Sequence, residues 1–339
     1  ANYLADKGYN VTLWLNTINT VFTLRPQIKL TKIPLPTKLG TIIHSLVKKF
    51  HSDAIIVDII PLASSLSVRN RSRLIYLAQG FDESYHGNPI QKLLVRILYF
   101  FSLRLMKVKG IAVSHQLAHM LKEKYNARIK VVENGINLVT FYHDPDQELI
   151  LSKSNRKAVL LLSRNDRAKG LDIAIKVMNK ISAQWKNKIE IWISGEYLDE
   201  EILKVKARNF GWVVEDKLRN ILSSADVLFY PTRYEGLPLM PLEAMACGCP
   251  VVTTRAVSYV KDGDNALVTE IEDTDNLKGK LETVLRDDAL REKLRKNGFD
   301  TSKKFNLNDS QKQFENAIAD ILGFNSSPSS IIPKKASSS

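Results

Sequence analysis

Short apolar runs alternate with longer, mixed apolar and charged stretches along most of the chain. In the first half, residues 11–16, 28–33, 54–60, 73–79, 111–114 and 129–133 have the length and composition of strands, with amphipathic or basic helical stretches between several of them. A polar segment, 143–156, breaks this rhythm and predicts an interdomain linker. The alternation then resumes with strands predicted at 158–163, 189–194, 210–213, 226–231, 251–253 and 266–268. Val227-Leu228-Phe229-Tyr230 is apolar at successive positions, the pattern of a strand covered on both faces of a parallel sheet. Two successive βα series joined by a linker predict an α/β chain with two doubly wound domains. Residues 309–322 read as an amphipathic helix. The Ser-, Pro- and Lys-rich stretch 323–339 predicts a disordered tail.

Composition narrows the class. A chain of 339 residues is too long for one ordinary core, and 44% hydrophobic with 25% charged residues suits a globular protein. No run approaches the ~18 apolar residues that a spanning helix needs, and no signal-peptide pattern precedes the first strand. The two cysteines, Cys247 and Cys249, lie too close in sequence for an ordinary disulfide, and no further Cys or His completes a zinc site. Reduced, packed thiols fit a cytoplasmic setting. The net charge of +13 calls for a polyanionic partner. Its basic residues are scattered, and no zinc finger, RNP motif or helix-turn-helix is present, so nucleic acid is not expected.

The densest chemistry lies between Tyr234 and Val252. Glu235 and Glu243 are eight positions apart, with Gly236-Leu237-Pro238 after the first and a short helix, predicted to begin near Pro238, around the second. Strands predicted on either side make this a strand–turn–helix–strand unit. Its helix N-terminus then points to the carboxyl end of a parallel sheet, where free amides favour phosphate oxygens. With its Glu-Ala-Met-Ala and Pro-Val-Val runs, the stretch resembles the retaining glycosyltransferases of family 4 and their E-x7-E signature. That resemblance implies the GT-B fold: two doubly wound Rossmann-like domains facing across a cleft. Residues 1–145 would form the acceptor-side domain, 156–305 the nucleotide-sugar domain, and 306–322 a helix bracing the first domain. The family pattern normally begins with a strand and a Gly-rich loop, whereas this sequence opens at Leu4-Ala5-Asp6-Lys7-Gly8, the end of the following helix. Related rhamnosyltransferase-like members share features of the first domain.

Transfer from a nucleotide diphosphate requires stabilisation of the departing diphosphate, by cations and amides where no metal serves. Ser163-Arg164-Asn165-Asp166-Arg167-Ala168-Lys169-Gly170 follows a predicted strand and resembles the family's phosphate-binding loop. Arg164 and Lys169 are the candidate cations, although such a pair alone is usually solvated. The resemblance gives Glu243 the ribose diol and places Glu235 against the sugar and leaving phosphate. Read without it, they are a helix-surface glutamate and a helix cap. Amides of Gly236, Leu237 and Leu239 are further candidate donors. Trp212 and Val213 resemble a base-reading segment, with core packing an equal reading for Trp212. Gly195 and Glu196 stand where a second glycine is common.

In the first half, Gln79 replaces a histidine found in many relatives; it can bond a hydroxyl but supplies no proton. Asp82, Glu83 and His86 are acceptor-side candidates or a solvated loop. Asn134-Gly135 reads as hinge geometry, and Asp262-Gly263-Asp264 as a turn. A helix predicted over 89–109 carries Lys92, Arg96, Arg104 and Lys107 beside an apolar face. It suits either an anionic membrane surface or packing with snorkelling lysines. The combined reading is a metal-independent retaining glycosyltransferase of hexosyl type, needing no cofactor, with a nucleotide-diphosphate sugar as donor and a glycan or lipid-linked acceptor. It would work in the cytoplasm or at the inner membrane face. The alternative is a catalytically impaired nucleotide-sugar-binding GT-B protein. A GT-B enzyme of another reaction type, a glycan phosphorylase or a sugar-nucleotide epimerase, is a further alternative; the phosphorylase would need a pyridoxal-type lysine site, which the sequence does not show.

Overall fold

The computed structural model describes residues 1–16, 23–34 and 37–324, so all of the tail predicted at 323–339 except Gly323 and Phe324 lies outside the described residues. The chain divides into two compact units, residues 1–133 with 310–339, and residues 134–309.

In the first unit, β1 (Thr12–Leu15) and β2 (Lys29–Lys32) form a parallel pair. A separate parallel sheet follows in chain order: β3 (Ile55–Val57), β4 (Leu74–Ala78), β5 (Lys109–Ala112) and β6 (Arg128–Val131). Buried Ile75, Ile111 and Val132 pack against Ala317 and Ile321 of the last helix, Leu307–Leu322. Tyr3 and Tyr9 donate to the Glu315 carboxylate at 2.7 and 2.8 Å, and Lys109 Nζ donates to the Ile321 carbonyl at 2.6 Å. An apolar stripe, with polar ties at its middle and its C-terminal end, holds this helix to the first unit.

The second unit is one six-stranded parallel sheet. Its strands are β7 (Lys157–Ser163), β8 (Ile189–Gly195), β9 (Ala207–Gly211), β10 (Val227–Tyr230), β11 (Val251–Thr254) and β12 (Leu267–Thr269). They lie in the order β12-β11-β10-β7-β8-β9, so the winding reverses between β7 and β10. Every residue of β8, β10 and β11 is buried, as predominantly apolar strands require when helices cover both faces, and the buried Glu190 of β8 pairs with Arg156 and Arg208. Where winding reverses, the connections after the two central strands leave in opposite directions and open a crevice at their carboxyl ends. The loops after β7 and β10 carry Arg164, Lys169 and Glu235.

Several expected boundaries move. The unit boundary falls between Glu133 and Asn134, not in the polar segment 143–156. That segment is bound to the second unit: the amides of Asp144 and Asp146 donate to Ser223 and Ser224, and Lys153 pairs with Asp226 at 2.7 Å. Its polarity reflects hydrogen bonding to the helix Glu215–Ser224, not a free linker. The helix expected over 89–109 is α-helical at Pro89–Tyr99, continues as a π-helix over Phe100–Leu105, and yields to β5 at Lys109. β9 ends at Gly211, whose φ of +69° turns the chain out of the strand and places Trp212 and Val213 on the loop beyond.

Candidate active site

Two loops are tied together before any ligand enters. The Arg233 amide donates to the Ala168 carbonyl at 2.7 Å, and Thr232 Oγ1 donates to the same carbonyl at 2.7 Å. The Arg233 guanidinium grips Asp172 bidentately, with both bonds at 2.7 Å, and also bonds Glu272 at 2.7 Å and the Arg167 carbonyl at 2.8 Å. Asp172 above all, with Glu272, stabilises that cation further. Gly170, at φ +69°, lets the loop after β7 run against the Pro231 carbonyl, where any Cβ would collide. These ties bring residues from both loops to one place at the carboxyl end of β7 and β10.

Lys169 and Glu235 meet there. Lys169 Nζ lies 2.9 Å from each oxygen of Glu235, and both side chains are largely buried. Glu235 Oε1 also accepts from the Tyr230 hydroxyl at 2.6 Å and lies 3.0 Å from Thr232 Oγ1, whose single proton it shares with the Ala168 carbonyl. Burial and then the Glu235 charge push the Tyr230 phenol well above its ordinary range, while the nearby Arg164 charge opposes the rise. Tyr230 therefore keeps its proton and donates. Arg164 itself is exposed, and the neighbouring Asn165 amide donates to Glu196 at 3.2 Å. The arrangement is a buried carboxylate held by two hydroxyls, with an ammonium on its open side and a guanidinium nearby.

Glu243 lies about one turn into the helix Met240–Ala246, which starts two residues later than expected, after Pro238 and Leu239. Burial first, and Glu215 second, raise its carboxyl to about 7. The amides of Gly236, Leu237 and Leu239 donate to no protein group among the described residues. Tyr259 fixes this turn by donating to the Pro238 carbonyl at 2.5 Å. Gly236 and Leu237 are buried and Leu239 is exposed; unpartnered amides grouped in this way suit an anionic or hydroxyl-rich ligand. Trp212 is 67% exposed, which removes the core-packing reading, and Val213 is partly buried beside it. Asp262 bonds the Val268 amide and pairs with Lys280 at 2.6 Å, as a turn residue.

The first unit places its candidates at the ends of β3 and β4. Gln79 is exposed and donates to Asp58 at 3.1 Å. Asp82 accepts from the Ile60 amide at 2.9 Å, and burial raises its carboxyl to about 6. Glu83 turns inward and pairs with Arg96, so its charge is committed to holding the helix Pro89–Tyr99. His86 is partly buried and acts on Asp82 through its charge.

Sequence reasoning missed Tyr230, Thr232, Arg233 and Tyr259. Tyr230 and Thr232 flank Pro231 a few positions before Glu235, which was a readable signal. Tyr259 and Arg233 had none, because their partners are distant in sequence.

Residues 143–301 match the family described as glycosyl transferases group 1, a span that contains both tied loops. An uncharacterised glycosyltransferase of Methanocaldococcus jannaschii is 28% identical over 235 residues, covering 65% of this chain and 62% of its own length. The chain thus spans about three fifths of that relative. Sucrose-phosphate synthase from Thermosynechococcus elongatus superposes with a TM-score of 0.77 at 18% identity, over 96% of this chain and 92% of that one. Anabaena HepE, solved with UDP and glucose, gives 0.71 at 17% identity over 94% and 95%. Residues 143–301 therefore match the group 1 glycosyl transferases, in keeping with the resemblance to family 4, and the chain that carries them has the GT-B fold.

Proposed function

We propose that this chain transfers a hexosyl group from a nucleotide-diphosphate sugar to a glycan or lipid-linked acceptor, with retention of configuration. The reading is carried by the convergence of Lys169 and Glu235 at the winding reversal, beside three amides without protein partners. The bond from the anomeric carbon to the diphosphate oxygen breaks, and its electron pair leaves with the diphosphate. Arg164 and Lys169 neutralise that growing charge without requiring a metal. The acceptor oxygen bonds the anomeric carbon on the face just vacated, through an oxocarbenium-like state. Its proton passes to the leaving phosphate oxygen. Glu243 accepts the ribose diol, Trp212 and Val213 border the base, and the Gly236, Leu237 and Leu239 amides meet phosphate or sugar. Gln79 and Asp82 serve the acceptor as hydroxyl-binding groups. UDP is the first nucleotide to test, because the Anabaena protein was solved with it.

A lipid-linked acceptor fits one surface of the first unit. Ile90, Leu93, Leu94 and Ile97 are each more than half exposed on successive turns of the helix Pro89–Tyr99, with Leu105 beyond it. Lys92, Arg104 and Lys107 supply positive charge along the same segment. Exposed apolar spacing with a cationic border suits an anionic bilayer face, which would place the enzyme at the cytoplasmic side of a membrane. No helix of the described residues is long and apolar enough to cross a membrane.

A thermal-unfolding panel with UDP-, GDP-, ADP- and dTDP-sugars tests the reading. A ligand at 100 times its dissociation constant adds about 2.7 kcal/mol, enough to register. Stabilisation by one class, lost in Glu243→Ala, supports the proposal; indifference to all four removes it. Donor binding with no transfer to any acceptor would instead favour the impaired, binding-only protein.

A further inference from the structure

The Glu235 carboxylate has little freedom. Oε1 takes donors from Tyr230 and Lys169 and a share of the single Thr232 proton, which lies chiefly toward the Ala168 carbonyl, and Oε2 faces the same ammonium at 2.9 Å. Thr232 is itself pinned through the Ala168 carbonyl, one residue before Lys169. Tyr230 sits at the end of a wholly buried strand, so its ring cannot swing without disturbing the sheet. Its hydroxyl also lies 3.5 Å from Lys169 Nζ. A carboxylate enclosed in this way is a poor nucleophile, since attack would require it to give up hydrogen bonds to a buried charge.

We propose that Tyr230 is a positioning residue: its hydroxyl, with that of Thr232, fixes Glu235 as the counter-ion that aims Lys169 at the leaving diphosphate. The inference rests on the transferase reading and deepens it by giving Glu235 an electrostatic role in place of a covalent one. Without the Tyr230 hydroxyl, Oε1 loses its shortest bond, the carboxylate gains rotational freedom, and the ammonium follows it away from the productive position. Ground-state contacts of the donor through Glu243 and the loop amides stay intact. The loss therefore falls on turnover and not on donor affinity.

The test uses the full chain, its Tyr230→Phe variant and the UDP-sugar, or whichever nucleotide sugar the unfolding panel selects. Calorimetry gives the donor dissociation constant, and release of nucleoside diphosphate at saturating donor, with water taking the glycosyl group by slow hydrolysis, gives kcat. The expected result is a drop in kcat of about tenfold, the low end for one hydrogen bond to a charged group. The dissociation constant should stay within about twofold, since uniform binding is untouched. Thr232→Val, which keeps the side-chain shape, should show the same split and serves if Tyr230→Phe unfolds early. Parent-like kcat in both variants overturns the inference while leaving the transferase reading in place. A glycosyl adduct on Glu235, seen by mass spectrometry of the parent with donor, also overturns it. If the parent binds no nucleotide sugar, the transferase reading fails with it, and that failure is visible before any variant is made.

Discussion

The carboxyl ends of the two larger parallel sheets are built to different standards. In the second unit, the ends of β7 and β10 are cross-tied through Ala168, Asp172, Thr232 and Arg233, and the one buried carboxylate there is held by Tyr230, Lys169 and a share of the Thr232 proton. In the first unit, the ends of β3 and β4 carry an exposed Gln79 with a single bond to Asp58, and Asp82 with one bond from a backbone amide. The strand order explains part of this. β7 and β10 are neighbours in space although far apart in sequence, so side chains from both must interlock at the reversal; β3 to β6 follow in order, with no reversal among them. Stabilising a leaving diphosphate demands fixed charges, because reorganising them during the reaction would cost what they supply. Recognising hydroxyl groups tolerates adjustable partners.

The comparison breaks most sharply at Lys169. Lys169→Ala should lower kcat by about 10³, in the range for removing one preorganised charge at a developing anion. Diphosphate release under saturating donor measures it, and a loss of only a few-fold would mean that the cross-tied end is not where charge is stabilised. Glu243 should show the next largest effect. Its carboxyl is raised to about 7, so below that value it is mostly protonated and can no longer accept from both hydroxyls of a diol as a charged group. Donor affinity should fall by about fivefold between pH 7 and 6, and should be nearly flat in Glu243→Gln. Calorimetry across that range would expose the opposite sign at once.

The first unit should respond more mildly. Replacing Leu93 and Ile97 by Ser should cut binding to vesicles containing anionic phospholipid by about tenfold, with the unfolding midpoint unchanged to within about 0.5 kcal/mol. Equal flotation of variant and parent would remove the bilayer from the proposal. The smallest effect is expected at Asp82. Its folded carboxyl is raised to about 6, so the native state binds this proton more tightly than the unfolded chain. Parent stability should decline as pH rises from 4 through 6, by about 1–2 kcal/mol once solvent screening is allowed for. Asp82→Asn should flatten that decline; an unchanged pH profile would show that the acceptor-side edge is more solvated than its burial indicates.

Much of the second unit was legible. The core strands β7, β8, β10 and β11 announce themselves as apolar runs, and Glu235, Lys169 and Glu243 stand where a strand–turn–helix reading puts chemistry. What failed had physical causes. Residues 143–156 look like a linker because they are polar, but their amides and charges are satisfied by Ser223, Ser224 and Asp226. The helix predicted to 109 is cut by a π-helix and a strand, because an apolar run alone does not distinguish helix end from strand start. Glu83 looked available on a loop, yet it is folded inward to Arg96.

The sequence by itself determined which segments become strands and which residue types could meet a diphosphate, because periodicity and charge are local properties. Only the tertiary structure decided that Lys169 faces both oxygens of Glu235, that Tyr230 and Thr232 lock this carboxylate, and that Arg233 binds the two loops. Those choices depend on which strands become neighbours at the winding reversal, and the pairing of β7 with β10 joins residues more than sixty positions apart.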